Sequence, residues 1–299
     1  MSNAGMTLGP PSAQATAGAA TTASGSIPER PPSHPSGRSL PDICHTLRRK
    51  LDAFLDEQTE DEVVRNVQSQ ARISMGVIGE ALQRYGPQEI SLSYNGGKDC
   101  LVLLILIMAC LAGPKNPSTS ANGHAKAGES ERPASPQESS PPVLQAIYIA
   151  PHDPFPEVED FVESSTLQYH LDLRRYSVPM RSALEAYLRD RPTVKAIFMG
   201  TRRTDPHCDL LGHFSPTDKD WPQFMRVNPV IDWHYVEIWT FIRHLEIPFC
   251  SLYQQGFSSL GGMTNTRPNP ALALDAGAKT FRPAYELVRD DEERLGRDR

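Results

Sequence analysis

Residues 90–110, ISLSYNGGKDCLVLLILIMAC, decide the fold. Residues 90–94 form a short apolar run that reads as a buried strand. The run breaks at Asn95, Gly96 and Gly97, a turn that only small or flexible residues make easily. From Asp99 the chain is almost uninterrupted Leu, Ile, Val and Met as far as Leu111, which reads as a core helix and is too short to span a bilayer. Strand, glycine turn and helix N-terminus bring free backbone N–H groups and the positive end of a helix dipole to one point, with Lys98 beside them. Such a point attracts phosphate.

Upstream, Leu40, Ile43, Leu47, Leu51 and Phe54 recur at helical steps from Ser39 onward, and Val64, Val67, Ile73, Val77, Ile78 and Leu82 do so over residues 61–85. Both helices read as packing elements. Downstream, residues 143–150 read as a second buried strand and 157–169 as a helix with Glu157, Glu159 and Asp160 in its first turn. Tyr176 and Val178 suggest a third strand, residues 180–190 a helix, and 196–199 a fourth strand. Strands alternating with helices imply right-handed crossovers. The expected fold is α/β, a Rossmann-like, mostly parallel sheet with helices on both faces and a C-terminal extension. Ligands of such sheets sit at the carboxyl ends of the strands, where the glycine turn, the Asp153 loop and the loop carrying Arg202 and Asp205 all fall.

The alternation then fades. Asp232 is the expected N-cap of a helix over 235–245, residues 250–270 are loop-like, and 281–287 read as a last strand before the charged end at 290–299.

Composition sets the organisation. Residues 1–39 are Ala, Gly, Pro, Ser and Thr with few large apolar side chains, and read as a disordered tail ahead of one domain over 40–299. Pro31, Pro32 and Pro35 weigh against an amphipathic mitochondrial presequence. Residues 113–142 read as a mobile surface insertion. Five scattered cysteines without a CxxC pair or signal peptide fit reduced thiols in the cytoplasm, and a formal charge of −6 argues against broad nucleic-acid binding. A monomer without membrane contact is expected.

The turn 93–99, SYNGGKD, has neither Walker spacing nor GxGxxG. It resembles the pyrophosphate loop of the adenine nucleotide alpha hydrolases, which split ATP between the α and β phosphates. With GTRRTDP at 200–206, WPQFMRVNPVIDW at 221–233, LYQQGFSSLGG at 252–262 and ELVRDDEERLGR at 286–297, the chain from about residue 64 resembles the eukaryotic, fungal-type FAD synthases, FMN adenylyltransferases of the PAPS-reductase-like fold. The resemblance implies transfer of AMP from ATP to the phosphate of FMN, giving FAD and pyrophosphate, with Mg2+.

Adenylyl transfer asks the protein to hold phosphates in line and to neutralise developing charge. The N–H groups of residues 95–98 suit the departing pyrophosphate, and Lys98 adds a point charge. Asp99 either helps place the metal or is a helix N-terminal acid. By resemblance Asn95, Asp99, Asp205 and Arg294 form the catalytic set, and Ser93, Tyr94, Gly96, Gly97, Lys98, Arg202 and Arg297 bind the nucleotide. Arg294 and Arg297, three apart, would share one face of a short helix and clamp phosphate oxygens. Asp218 and Trp221 fall where the family recognises the flavin ring, although Trp221 reads equally as a core residue. Trp233 and Trp239 read as packing, and His207 and His213 as loop residues.

At residues 150–156, APHDPFP stands where the family carries an acid-rich loop, so a role resting on an acid at Ala150 is not expected here. Among rivals of the same fold, an ATP sulfurylase-type enzyme is one, a PAPS reductase needs a C-terminal catalytic cysteine, and the last here is Cys250; a tRNA thiolase would want paired cysteines. A non-catalytic flavin or nucleotide sensor is the rival of a different class. Asp99→Ala is expected to abolish turnover with the thermal transition nearly unchanged.

Overall fold

The computed structural model describes residues 37–113, 141–275, 277 and 279–298. The expected tail therefore lies outside the described residues but for its last three, as does the insertion but for its ends.

Helices α1 (Leu40–Asp56) and α2 (Glu62–Arg84) open the chain. Each starts where a side chain satisfies orphan amides: Ser39 and Asp42 form a capping box on α1, and Asp61 accepts from the N–H groups of Val63 and Val64. Strand β1 (Ile90–Ser93) feeds α3 (Lys98–Leu111), and β2 (Gln145–Ile149), α4 (Pro156–Gln168), β3 (Asp172–Tyr176), α5 (Met180–Asp190) and β4 (Ala196–Phe198) complete the alternation. Two short strands, β5 (Phe214–Pro216) and β6 (Met225–Val227), and helix α6 (Tyr235–His244) follow.

The six strands run β3-β2-β1-β4-β6-β5, all parallel except β5. From β1 the chain steps outward through α3 and α4, then returns through α5 to the other side of β1. Right-handed crossovers must put α3 and α4 on one face and α5 on the other. The packing agrees: Ala146, Tyr148, Ala196 and Phe198 join the core with α3 and α4, whereas Ile147 and Ile197 meet Tyr187 of α5. Helix α3 is buried from Leu101 to Ala109, enclosed by α1, α2, α6 and the sheet.

Three expectations need correction. The third strand ends at Tyr176, and Val178 lies exposed beyond it. Residues 281–287 are not a strand: Phe281 makes one bridge to Ala273, Pro283 has no N–H to extend a ladder, and a 3-10 turn follows at Ala284–Glu286. Helix α6 is capped by His234, with Glu237 closing a capping box, while Asp232 is drawn aside by the Arg203 guanidinium at 2.7 Å. The β5–β6 hairpin had no sequence expectation, since two three-residue strands carry almost no periodicity.

Candidate active site

Strand order reverses between β1 and β4, so their carboxyl-end loops diverge and open a crevice. Two glycines let the backbones approach. Gly96 turns at φ +72°, where a Cβ would stand 2.9 Å from Val162, and a Cβ on Gly200 would stand 2.8 Å from the Cys100 backbone. Between the loops lies a pocket of about 260 Å3. Ser93, Asn95, Gly97, Lys98, Asp99, Asp205, Arg294 and Arg297 all line it, so most of the sequence-predicted nucleotide residues come together. Tyr94 and Gly96 stand behind the wall. The Tyr94 hydroxyl donates to Ser165 Oγ at 2.8 Å, and the residue is fully buried.

The glycine turn is fixed by its own side chains. Asn95 Oδ1 accepts from the Gly97 N–H at 3.0 Å and from the Cys100 thiol at 2.9 Å; the Lys98 N–H donates to the Tyr253 hydroxyl at 2.8 Å. The Asn95 N–H also donates to Cys100 Sγ at 3.5 Å, so three of the four amides expected to hold phosphate are already engaged by side chains of the site. The dipole end of α3 remains, because Gly97 offers no side-chain cap. Burial pushes the Cys100 thiol up to about 12, which keeps it a protonated donor of this turn.

Beneath the pocket four charges close a ring. Lys98 Nζ lies 2.9 Å from Asp99 Oδ2 and 2.5 Å from Glu293 Oε1; Arg202 Nε lies 2.8 Å from Asp99 Oδ1 and its Nη2 contacts Glu293 Oε2. Arg202 is fully buried and Lys98 nearly so. Burial alone would lower the Lys98 pKa and raise that of Asp99. The opposite charges outweigh it: Asp99 and Glu293 raise Lys98, and Arg202 and Lys98 hold the Asp99 carboxyl below the usual range. Two cations expected to face phosphate are therefore neutralised within the protein, and Arg202 does not line the pocket at all. Asp205 is different. Its Oδ2 accepts from the Arg202 N–H at 2.9 Å, and burial raises its pKa, with Asp99 adding to the rise.

Arg294 and Arg297 carry the available positive charge. They do not share a helix: Arg294 sits in a turn and Arg297 in a single bridge to Thr266, with Gly296 between them packed against the Arg267 carbonyl where a side chain has no room. Neither has an ion pair among the described residues. Arg297 donates to the Leu260 carbonyl at 2.7 Å, and its pKa is lowered by burial and by Arg294. Its guanidinium lies over Gly261, where a Cβ would stand 2.4 Å from Nη2. Arg297, Asn95 and Leu260 also border a second cavity of about 620 Å3, walled by Tyr148, Ala150, His152 and Met180. Ala150 is thus wall material. Asp153 instead braces the opposite loop, accepting from the Thr264 N–H at 2.6 Å.

Asp218 and Trp221 line neither cavity; they occupy the turn between β5 and β6, both exposed, with Trp221 at 37%. The core reading of Trp221 fails on that exposure, whereas Trp233 and Trp239 are core residues. Sequence reasoning missed Glu293 and Tyr253, which line the pocket, and Asp290, which accepts from the Tyr235 N–H at the start of α6. Glu293 and Asp290 were hidden in a charged run, and Tyr253 lay inside a quoted motif without an assigned part.

The phosphoadenosine phosphosulfate reductase domain model matches residues 89–187 and 176–268. A probable FAD synthase of Schizosaccharomyces pombe is 36% identical over 86% of this chain and 89% of its own length. Flavin adenine dinucleotide synthase of Saccharomyces cerevisiae is 32% identical over 83% and 80%. The crystal structure of Candida glabrata FMN adenylyltransferase in complex with FAD and inorganic pyrophosphate superposes with a TM-score of 0.75 at 28% identity, covering 87% of this chain and 97% of that one. On this agreement of sequence, fold and pocket, the chain belongs to the FAD synthase family, the FMN adenylyltransferases of the PAPS-reductase-like fold.

Proposed function

We propose that this FMN adenylyltransferase performs its reaction with the pocket between the glycine turn and the Arg294–Arg297 turn as the triphosphate site. The observation that carries the assignment is the segregation of charge. Lys98 and Arg202 are neutralised by Asp99 and Glu293, while Arg294 and Arg297 face the pocket without a carboxylate. Guanidinium groups left unpaired in a concave site bind phosphate oxygens.

A phosphate oxygen of FMN attacks the α-phosphorus of ATP, the bond from that phosphorus to the bridging oxygen of the β-phosphate breaks, and pyrophosphate leaves. Direct transfer fits the site, because the one thiol in the pocket wall, Cys100, is protonated and held by the turn. Arg294 and Arg297 hold the leaving phosphates in line, and Asn95 keeps the turn in shape to receive them. Trp221 and Asp218 take the flavin ring at the β5–β6 turn.

Magnesium belongs to the same proposal. Among the described residues no group of three or more His, Cys, Asp or Glu is placed to hold a metal ion. Of the pocket carboxylates, Asp99 and Glu293 each place both oxygens on Lys98 and Arg202, so Asp205 is left for direct contact and Asp99 for contact through water. That set fits an ion that arrives on the triphosphate and keeps much of its own water. Asp205 would hold it directly and Asp99 through its water, and it would supply charge neutralisation on the phosphates. The reductase reading is weakened further because Cys250 is 1% exposed. We assign the enzyme to the cytoplasm as a monomer. Its five cysteines are all free, and no helix among the described residues is long and apolar enough to cross a membrane.

Labelled ATP tests the proposal. Label in the α-phosphate should end in FAD and label in the γ-phosphate in pyrophosphate; γ-label appearing as free orthophosphate without FAD would contradict it.

A further inference from the structure

We infer that Glu293 is a positioning residue of the adenylyl transfer, a part no sequence motif had assigned to it; the inference rests on the reading of the pocket given above. Its side chain is 6% exposed and spends both oxygens on buried cations, Oε1 on Lys98 and Oε2 on Arg202. Those two cations hold the two oxygens of Asp99. Asp99 is therefore oriented by groups that Glu293 in turn orients. The four groups alternate in charge around the ring, and its net charge is zero. Without the Glu293 carboxylate, two buried cations would draw on Asp99, relieved among the described residues by the 3.3 Å contact from Arg202 to Asp290 and by the charge of Asp205.

The backbone of Glu293 is held as firmly as its side chain. Its carbonyl accepts from Ser258 Oγ at 2.6 Å, and Asn269, fully buried, donates to the Glu292 carbonyl at 2.7 Å. The next residue is Arg294, whose exposed side chain borders the pocket without an ion pair among the described residues. One residue thus sets the direction of a carboxylate on one wall and the starting point of a guanidinium on the other. Glu293 has no oxygen left for a substrate, so its part is to position other groups.

The test uses the full chain with Glu293→Gln, which keeps size and removes charge, and Glu293→Asp, which keeps charge and shortens reach. Each is assayed with FMN, ATP and magnesium below its own thermal transition, so that only folded protein is compared. The expected result for Glu293→Gln is a kcat about 10- to 100-fold lower, as for a misplaced reacting geometry, with the KM for FMN unchanged. Glu293→Asp should recover part of that loss. A purely structural role would lower the transition temperature and leave kcat alone, so a kcat within about twofold of wild type in folded Glu293→Gln overturns the inference. Should Glu293→Gln fail to fold, Glu293→Asp decides: a lowered kcat with the KM for FMN unchanged supports the inference, and a kcat equal to wild type beside a lowered transition temperature overturns it. Absence of FAD from the wild type would instead remove the reading of the pocket itself.

Discussion

Asp99 and Glu293 hold the same two cations: each places one carboxylate oxygen on Lys98 and the other on Arg202. This pairing changes what the glycine turn's lysine and the strand-end arginine are for. They anchor the floor of the site, and in the proposed triphosphate site Arg294 and Arg297 are left to meet the nucleotide.

Asp99 is consequently a structural as well as an active-site residue. Removing one partner of a buried ion pair typically costs about 3–5 kcal/mol, because the remaining charge is left uncompensated. Asp99→Ala is expected to lose stability on that scale together with its activity, reversing the expectation from sequence. Denaturant unfolding with the midpoint and slope both measured checks it; an unchanged midpoint would show that the ring does not exist as described.

Arg294 is exposed and unpaired among the described residues, so Arg294→Ala should leave the thermal transition in place. Charge-assisted hydrogen bonds are worth about 1.5–3 kcal/mol each, so kcat/KM for ATP should fall by roughly 10- to 100-fold. Arg297→Ala should do the same with some loss of stability, since its guanidinium also holds the Leu260 carbonyl. Steady-state kinetics at varied ATP separate these variants from any defect in flavin binding.

Asp205 gives a pH signature. Its folded-state pKa is raised by burial above the ordinary 3.8, so the folded state disfavours the charged carboxylate. That penalty is absent below the unfolded-state value and fully present above the folded one. Asp205→Asn keeps an acceptor for the Arg202 N–H, so it should be more stable than wild type at neutral pH. The advantage should vanish as pH falls below about 3.8. Activity should drop sharply at every pH. Unfolding curves across pH 3–8 test the sign.

Trp221→Ala should raise the KM for FMN about two- to tenfold, the worth of one aromatic stacking contact, without moving the KM for ATP. Asp218→Ala should act in the same direction. Both side chains are exposed, so neither substitution should shift the thermal transition. Equal effects on both substrates would place the flavin elsewhere.

The parallel sheet and the glycine turn were legible because each is written locally, in apolar runs of strand length and in a Gly-Gly break between strand and helix. The function of Arg202 was not. An arginine in a GTRRTDP loop looks solvated, and only the fold brings it under the glycine turn beside Asp99 and Glu293, from distant parts of the chain. Asp290 and Glu293 sat in a run of acids that reads as a solvated tail. Asp232 had the right residue type to cap α6, but Arg203 competes for it, and that competition crosses elements.

Formation of FAD by the purified chain from FMN, ATP and magnesium, followed by chromatography with pyrophosphate measured in parallel, tests the central claim most directly. FAD and pyrophosphate should form in equal amounts, with FAD falling to the level of the no-enzyme control when Arg294 and Arg297 are both replaced by Ala. A folded wild-type chain that yields no FAD, or a double variant that yields it at the wild-type rate, would contradict it.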